Sequence, residues 1–512
     1  MGKTNALQAF PLNSLINTMT SQINDATVSI NTRDVLAGLL KMYNYRELAQ
    51  YNSLCPSLPD SFYQNYVDGI GSNNNVLGNY STGSFDKKFQ PRGVYPCQIL
   101  IMQNGVMVPY VDGNGNPLLQ ISATGAGALP FNSFYLKFTT TEPLLFLSPY
   151  ISAHSNNKAS FLGLNNLTLT LNMGDASRVM SNASYADLYS VATPVVQGAN
   201  VKTISNATFV QYESAKLLLQ LLSIPPSMFS KISPKNIVNY NQYTSYNFTS
   251  GFAIAANTGS NSSSIPIAFN NIQLNQVPTK MLIFARNSTL DTYDSNSFLV
   301  IKGISINFGN KSGLLSSANP TQLYDMSVRN GLQENYYEYS GQGVSSNADG
   351  DPTIVPTIGS ILAIDPSLDL SIDSQWAGMV GGQFNIQFEI QLSNQTANSI
   401  TPTIYLVVVN SGMFTTESGS CAPQTGLLNQ EMVLNTKQQD PITDSHTYDK
   451  AIVGGSIENI GSVHKFLKKQ LGNHHEKETV IDNDGAGMSA SGMSAAGVAS
   501  GAKRRIHKYA SK

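Results

Sequence analysis

Short runs of β-branched and aromatic residues, separated by turn residues, dominate the chain to about residue 415. In CQILIMQNGVMVPYVDGNGNPLLQI, from Cys97, the apolar runs break at Asn104-Gly105 and again at Asp112-Gly113-Asn114-Gly115, both strong turn signals. Further strand-like runs are FYLKFTT, NLTLTLNM, YNFTSGFAIA, MLIFAR, FLVIKGISINF, FNIQFEIQL and TIYLVVVN. No regular alternation with long amphipathic helices accompanies them, which argues against a parallel α/β sheet. The expected class is mainly β.

The helical signals are short. Val35, Leu36, Leu39, Leu40 and Tyr43 recur at helical spacing between Arg33 and Gln50, with Thr32 as cap and Asp34 in the first turn. Asn319-Pro320 opens a second helix carrying Leu323, Tyr324 and Val328, and Asn330-Gly331 stops it. Residues 1–25 are polar and weakly patterned, and read as an arm that a neighbour must order.

The chain also resembles itself. Residues 169–189 and 304–324 agree without a gap at Asn172/Asn307, Gly174/Gly309, Ser177/Ser312, Ser181/Ser316, Ala183/Ala318, Leu188/Leu323 and Tyr189/Tyr324. Each copy is preceded by an apolar run after an X-Pro step, Glu142-Pro143 or Val277-Pro278. A duplicated β-sandwich accounts for this order, although two unrelated strands sharing a turn chemistry would give the same identities. The division falls in LSIPPSMFSKISPKN, where Pro225-Pro226 and Pro234 interrupt any element. The first unit is assigned to residues 26–228, the second to 240–415, and a tail to 416–512.

At 512 residues, two or three domains are expected. Only 12% of residues are charged, and the net charge is −2, so no long-range field exists to hold nucleic acid or an anionic membrane. Any basic contact must be local. Cys55, Cys97 and Cys421 are too far apart for a disulfide framework or a zinc knuckle. The start lacks a continuous apolar segment, and no uncharged apolar run reaches spanning length, which points to a soluble protein made in the cytosol.

Candidate chemistry is thin. His154, in the polar stretch SAHSNN, is the only histidine before His446, so no histidine cluster can form a triad or a metal site in the β region. Asp112-Gly113-Asn114-Gly115-Asn116 begins like a calcium loop, but Pro117 stands where glycine is needed. No catalytic, cofactor-binding or metal-binding residues are assigned.

The tail has its own pattern. Over residues 456–472, Ile457, Ile460, His464, Leu467 and Leu471 fall on one helical face, with Lys465, Lys468 and Lys469 beside or opposite it. Such a basic amphipathic helix suits a membrane surface, a partner groove or its own protein. The Gly- and Ser-rich end that follows is flexible by composition and carries Lys503, Arg504 and Arg505.

AFPLNSLINTMTSQINDATVSINTRDVL near the start, VPTKMLIFAR with SINFGNKSGLLSSANPTQLYDMSVRNG, and ITPTIYLVVVNSG together carry a resemblance. Over about residues 8–415 the chain resembles the double jelly-roll major capsid proteins of eukaryotic DNA viruses, the lineage of adenovirus hexon, virophage and polinton-like virus capsomers. That resemblance implies two tandem eight-stranded jelly-roll β-sandwiches with short loop helices and a flexible C-terminal tail. It implies a homotrimer, a pseudo-hexagonal capsomer in an icosahedral shell, with neighbouring capsomers and minor capsid or penton proteins as partners. Residues 331–357 would form a tower loop. The protein would be made in the host cytoplasm, with assembly there or in the nucleus, and reside in the virion.

Ile452-Val453-Gly454-Gly455-Ser456 is similar to sites cut by adenovirus-type maturation proteases, so a viral protease would cleave between Gly455 and Ser456. The freed tail would act on membrane or genome. Met379-Val380-Gly381-Gly382 fits the same pattern but precedes a strand that should protect it. The alternative reading is a viral spike or adhesin-like sandwich that binds glycan or a receptor. A glycosidase on a β-sandwich ranks third.

Overall fold

Apolar residues at the start of the chain are tucked into the protein rather than left free. The computed structural model describes residues 5–59, 66–67, 79–80, 96–111, 113–115, 134–144, 163–182, 213–219, 226–227, 235–256, 264–288, 298–346, 352–356, 359, 361–370, 372, 378–395, 399–417 and 419–429. Its first half contains β1 (Asn5–Leu7), α1 (Pro11–Leu15), β2 (Ile16–Ile23), β3 (Ala26–Ile30), α2 (Thr32–Leu40) and α3 (Tyr45–Ala49). There follow β4 (Tyr66–Val67), β5 (Asn79–Tyr80), β6 (Cys97–Gln103), β7 (Val106–Pro109), β8 (Tyr135–Phe138), β9 (Leu167–Met173), a 3₁₀ turn (Ala176–Val179) and β10 (Met180–Asn182).

The expected arm is therefore corrected. β2 lies between β3 and β9 in an antiparallel sheet, β1 pairs with β10, and Leu7, Phe10, Ile16, Met19 and Ile23 are buried. The polar residues between them disguise the pattern, because an alternating strand needs only every second side chain to be apolar.

The second half contains β11 (Lys235–Thr249), β12 (Ser264–Ala268), β13 (Ile272–Gln276), β14 (Lys280–Asn287), β15 (Val300–Phe308) and β16 (Lys311–Leu314). Helices α4 (Pro320–Arg329) and α5 (Tyr336–Ser340) and the hairpin of β17 (Gln342–Ser346) and β18 (Pro352–Pro356) come next. Residues 331–357, expected as a tower loop, thus include a helix and a hairpin. The half closes with β19 (Leu362–Ile364), α6 (Pro366–Asp369), β20 (Gly381–Ser393), β21 (Pro402–Glu417) and β22 (Ser420–Thr425). One sheet runs β11-β21-β14-β19 and the other β12-β20-β15-β16, with β13 also on β20. This is jelly-roll order: the first, eighth, third and sixth strands face the second, seventh, fourth and fifth.

The two sheets bury themselves differently. In β20, Phe384, Ile386, Phe388, Ile390 and Leu392 point inward, while Gln383, Asn385, Gln387, Glu389 and Gln391 are exposed. Phe388 stacks on Phe269 at 4.6 Å between ring centres, and Phe384 on Phe308 at 5.8 Å. By contrast, every residue of β14 after Lys280, and every residue from Pro402 to Val409 in β21, is buried. A strand buried on both faces needs a second layer over it. Helix α2 supplies part of that layer, so one core extends from β2, β3 and α2 into the second roll.

Gly38 makes the close approach possible: a Cβ there would sit 2.6 Å from Cε1 of Phe284 on β14. Gly38→Val should lower unfolding free energy by about 1–3 kcal/mol, the usual cost of overpacking. Equilibrium urea unfolding with an unchanged midpoint would refute this reading of the layer contact.

Turn and cap chemistry is as expected at several points. Asn104 and Gly105 both have positive φ in the two-residue β6–β7 hairpin. Helix α4 has Asn319 as N-cap with a Gln322 capping box, Pro320 in its first turn and Gly331 just past its end at φ +102°. The start of the tail is corrected, since β21 continues to Glu417 and returns as β22 through a turn with Gly419 at φ +88°. Leu428 then bridges Val380.

The 21-residue likeness does not carry into the described pairings. β9 pairs with β2, near the start of the chain, whereas β15 pairs with β20 and β16. Gly309 turns the chain at positive φ, while a Cβ on Gly174 would lie 2.5 Å from the Asn17 side chain, so the matched glycines serve different needs. The helix expected around Leu188 and Tyr189, His154, and the tail helix 456–472 lie outside the described residues.

Candidate structural site at the seam of the two halves

Helix α2 ends its apolar stripe on a lysine. Lys41 follows the last helical residue, and its Nζ lies 2.5 Å from Glu334 Oε1, with both side chains almost wholly buried. Glu334 comes from the short link between α4 and α5, so the ion pair joins the two halves. The backbone reinforces it: Gln333 N donates to Lys41 O at 3.0 Å. The Phe298 ring lies 5.7 Å from the ammonium. Burial pushes the Glu334 carboxyl up to about 7 against the pull of Lys41, and Glu338 adds to the rise.

At the other end of α2, Asp34 accepts from Asn31 Nδ2 at 2.7 Å and from Ser245 Oγ and Asn247 Nδ2 of β11, each at 3.3 Å. The β2–β3 turn makes a further clamp. Asn24 Oδ1 accepts from the backbone N–H groups of Asn165 and Asn166, at 2.8 and 3.0 Å. Beside it, Asp25 accepts from Ser420 Oγ at 2.7 Å and Cys421 N at 2.5 Å, which draws its carboxyl below the ordinary value. The start of the chain thereby grips the hairpin that ends the second roll.

Glu142 solves a different problem. Phe10, the N-cap residue before helix α1, has φ +51° and gives no side-chain cap. The Glu142 carboxylate takes that role from 130 residues away, accepting from Leu12 N at 2.7 Å, Asn13 N at 3.0 Å and Asn13 Nδ2 at 3.0 Å. Burial still places its carboxyl above the ordinary value, despite these donors.

None of this is catalytic geometry. Among the described residues no group of three or more His, Cys, Asp or Glu is placed to hold a metal. Cys55, Cys97 and Cys421 are free thiols, and burial raises Cys97 to about 11 and Cys55 further, which leaves no reactive thiolate there. No helix among the described residues is long and apolar enough to cross a membrane.

Gly455, Ser456, Lys465, Lys468, Lys469, Lys503, Arg504 and Arg505 all lie outside the described residues. The second Gly-Gly motif is described and folded: Val380 is buried, Gly381 N donates to Leu428 O at 2.9 Å, and Gly381 opens β20. Lys41, Glu334, Glu142 and Asp25 went unread as a seam. Only Lys41 had a local signal, as a cation closing an apolar helical stripe.

The chain is similar to viral capsid proteins in sequence and in fold. Residues 1–222 match the model of the Sputnik virophage major capsid protein first domain, and residues 240–412 match the major capsid protein V20 C-terminal domain. Capsid protein V20 of Sputnik virophage is 26% identical over 479 residues, covering 91% of this chain and 71% of the relative. A chain in the 3.5 Å cryo-EM structure of the Sputnik virophage superposes with TM-score 0.61 at 20% identity, covering 89% of this chain and 82% of that one. The crystal structure of mavirus major capsid protein gives 0.60 at 17% identity, covering 86% and 82%.

Proposed function

Because the chain belongs to the virophage major capsid protein family, we propose that its working form is a homotrimer in which six rolls make a pseudo-hexagonal capsomer of an icosahedral shell. It is a double jelly roll and a structural component of the virion, and such proteins assemble with neighbouring capsid subunits. The observation that carries the trimer reading is the doubly buried β14–β21 layer. A roll whose outer sheet face is partly covered by its own first half shares one core with that half. Closed rotational symmetry then builds a ring from such units.

Mass measurement of the purified full chain, combined with electron microscopy, tests this. Particles of three chains with six-fold-like outlines are expected. A monomer at every concentration, or an elongated stalk as for a spike that binds glycan or a receptor, would overturn it. Minor capsid and penton proteins would meet the capsomer at its rim.

The tail reading belongs to the same proposal. A viral protease cuts between Gly455 and Ser456, and the basic helix with Lys465, Lys468 and Lys469, together with Lys503, Arg504 and Arg505, then meets membrane or genome. Support comes from the contrast between the two Gly-Gly motifs, since that at Gly381 is locked into β20. Mass spectrometry of protein from mature particles should find a C-terminus at Gly455; an intact end at Lys512 would defeat the idea. Synthesis in the host cytoplasm, with assembly there or in the nucleus, completes the proposal.

A further inference from the structure

We propose that the outer face of the three-stranded sheet β7-β6-β8 is a contact between copies of this chain, docking on an equally uncharged surface of a second copy. The proposal rests on the trimer reading above. Its source is the run CQILIMQNGVMVPY, which is apolar on both faces of the sheet it forms. The register separates those faces. Met102 pairs with Met107, and Leu100 with both Pro109 and Tyr135, so these five residues share one side with Val111. Ile99, Ile101, Val108, Tyr110 and Leu136 lie on the other side and form a small core of their own. Met102, Met107, Pro109 and Val111 are exposed, Met107 at 43%. The water-facing side of β20 is built otherwise, with Asn385, Gln387 and Glu389 outward.

A second segment extends the patch. Lys137, on the same side of β8 as Tyr135, holds Glu213 with 2.7 Å between Nζ and Oε2. Just beyond Glu213, Leu217, Leu218 and Leu219 are all exposed, Leu218 at 73%. Four residues of extended chain span about 14 Å at most, so Leu217 borders the sheet.

Charge selects the occupant. Among the described strand residues of this face Lys137 is the one that carries charge, and Glu213 of the same chain offsets it, so no field draws a nucleic-acid strand or an anionic headgroup. The partner must present an uncharged surface too. With only 12% charged residues this chain is itself such a partner, and it belongs to a family that assembles by contact between subunits. Size agrees, since an apolar patch of a few hundred Å² is the scale of an interface core within the roughly 800 Å² that each partner buries. Pro109 directs the contact to the face and not the edge. Tyr110 N donates to Ile99 O at 2.9 Å, so the alternation of the antiparallel ladder turns position 109 toward the open edge of β7, where proline offers no N–H to a further strand.

Sedimentation of the full chain over a concentration series tests this. Met107→Glu and Leu218→Glu should each raise the concentration at which half the trimers dissociate by about tenfold or more, because each buries an unpaired charge. Gln387→Glu, on the polar face of β20, should leave it unchanged. A wild-type chain that stays monomeric would sink the trimer reading and this contact with it. A trimeric wild type with equally stable Met107→Glu trimers would overturn the contact alone, as would an equal loss in Gln387→Glu. Peroxide footprinting needs no variant: Met102 and Met107 should oxidise at least about fivefold more slowly in the wild-type trimer than in dilute monomer, and equal rates would also overturn the contact. Binding of the wild type to phosphatidylcholine vesicles, abolished in Met107→Glu while its trimer persists, would give the face to a lipid surface instead.

Discussion

Lys41→Met should destabilise the chain by about 3–5 kcal/mol at pH 7, the range for removing one partner of a buried ion pair. The loss comes mainly from stranding Glu334, which is 6% exposed and has Lys41 as its one cationic partner among the described ion pairs. A carboxyl so placed takes up a proton instead of staying charged. The double variant Lys41→Met/Glu334→Leu should regain much of the loss, since matched apolar groups replace a buried pair at little cost. Urea unfolding of the two variants decides: equal destabilisation in both would mean that the methionine simply packs badly.

The same pair sets a pH dependence with a definite sign. The Glu334 carboxyl is raised from 4.5 to about 7 in the fold, so the folded chain keeps a proton that the unfolded chain has already released. Its favourable share of stability is complete below pH 4.5 and is lost as pH climbs through 7, by about 3 kcal/mol at 1.36 kcal/mol per pKa unit. The groups facing it are Lys41 and Glu338, with Tyr339 close by. Glu334→Gln should flatten the decline in stability between pH 5 and 8. An unchanged slope would assign the pH dependence to other groups.

Glu142→Ala should cost about 3–5 kcal/mol. It leaves the buried N–H groups at the start of α1 without an acceptor, and each unsatisfied donor costs about 1–3 kcal/mol. Neither Leu12 nor Asn13 has another cap at hand, because Phe10 provides none. The damage should be local at first. Hydrogen exchange over residues 5–23 should quicken before that of β20 and β21, whereas uniform quickening would show that the segment unfolds only with the whole. Glu142→Gln keeps an acceptor oxygen and should lose less than the alanine variant.

Where the expectations from sequence succeeded, the responsible interactions are short in range. The Asn104-Gly105 turn, the Asn319 cap with Pro320, and the alternation of FNIQFEIQL each depend on residues within a few positions of one another. The first 25 residues failed the same reading because β2 sets Asn17, Thr18, Thr20, Ser21 and Gln22 between its buried apolar residues Ile16, Met19 and Ile23, which breaks the alternation. The seam was invisible for a stronger reason: its partners lie far apart in the chain and share no motif.

The chain by itself settled its class, its strand-rich second half and its lack of a histidine cluster in the β region, since composition and local periodicity are properties of neighbouring residues. Tertiary structure alone decided which sheet face the first half covers, that Lys41 meets Glu334, and that Glu142 caps a helix 130 residues earlier. Those outcomes follow from how the layers stack, and stacking brings together charges that no local pattern relates.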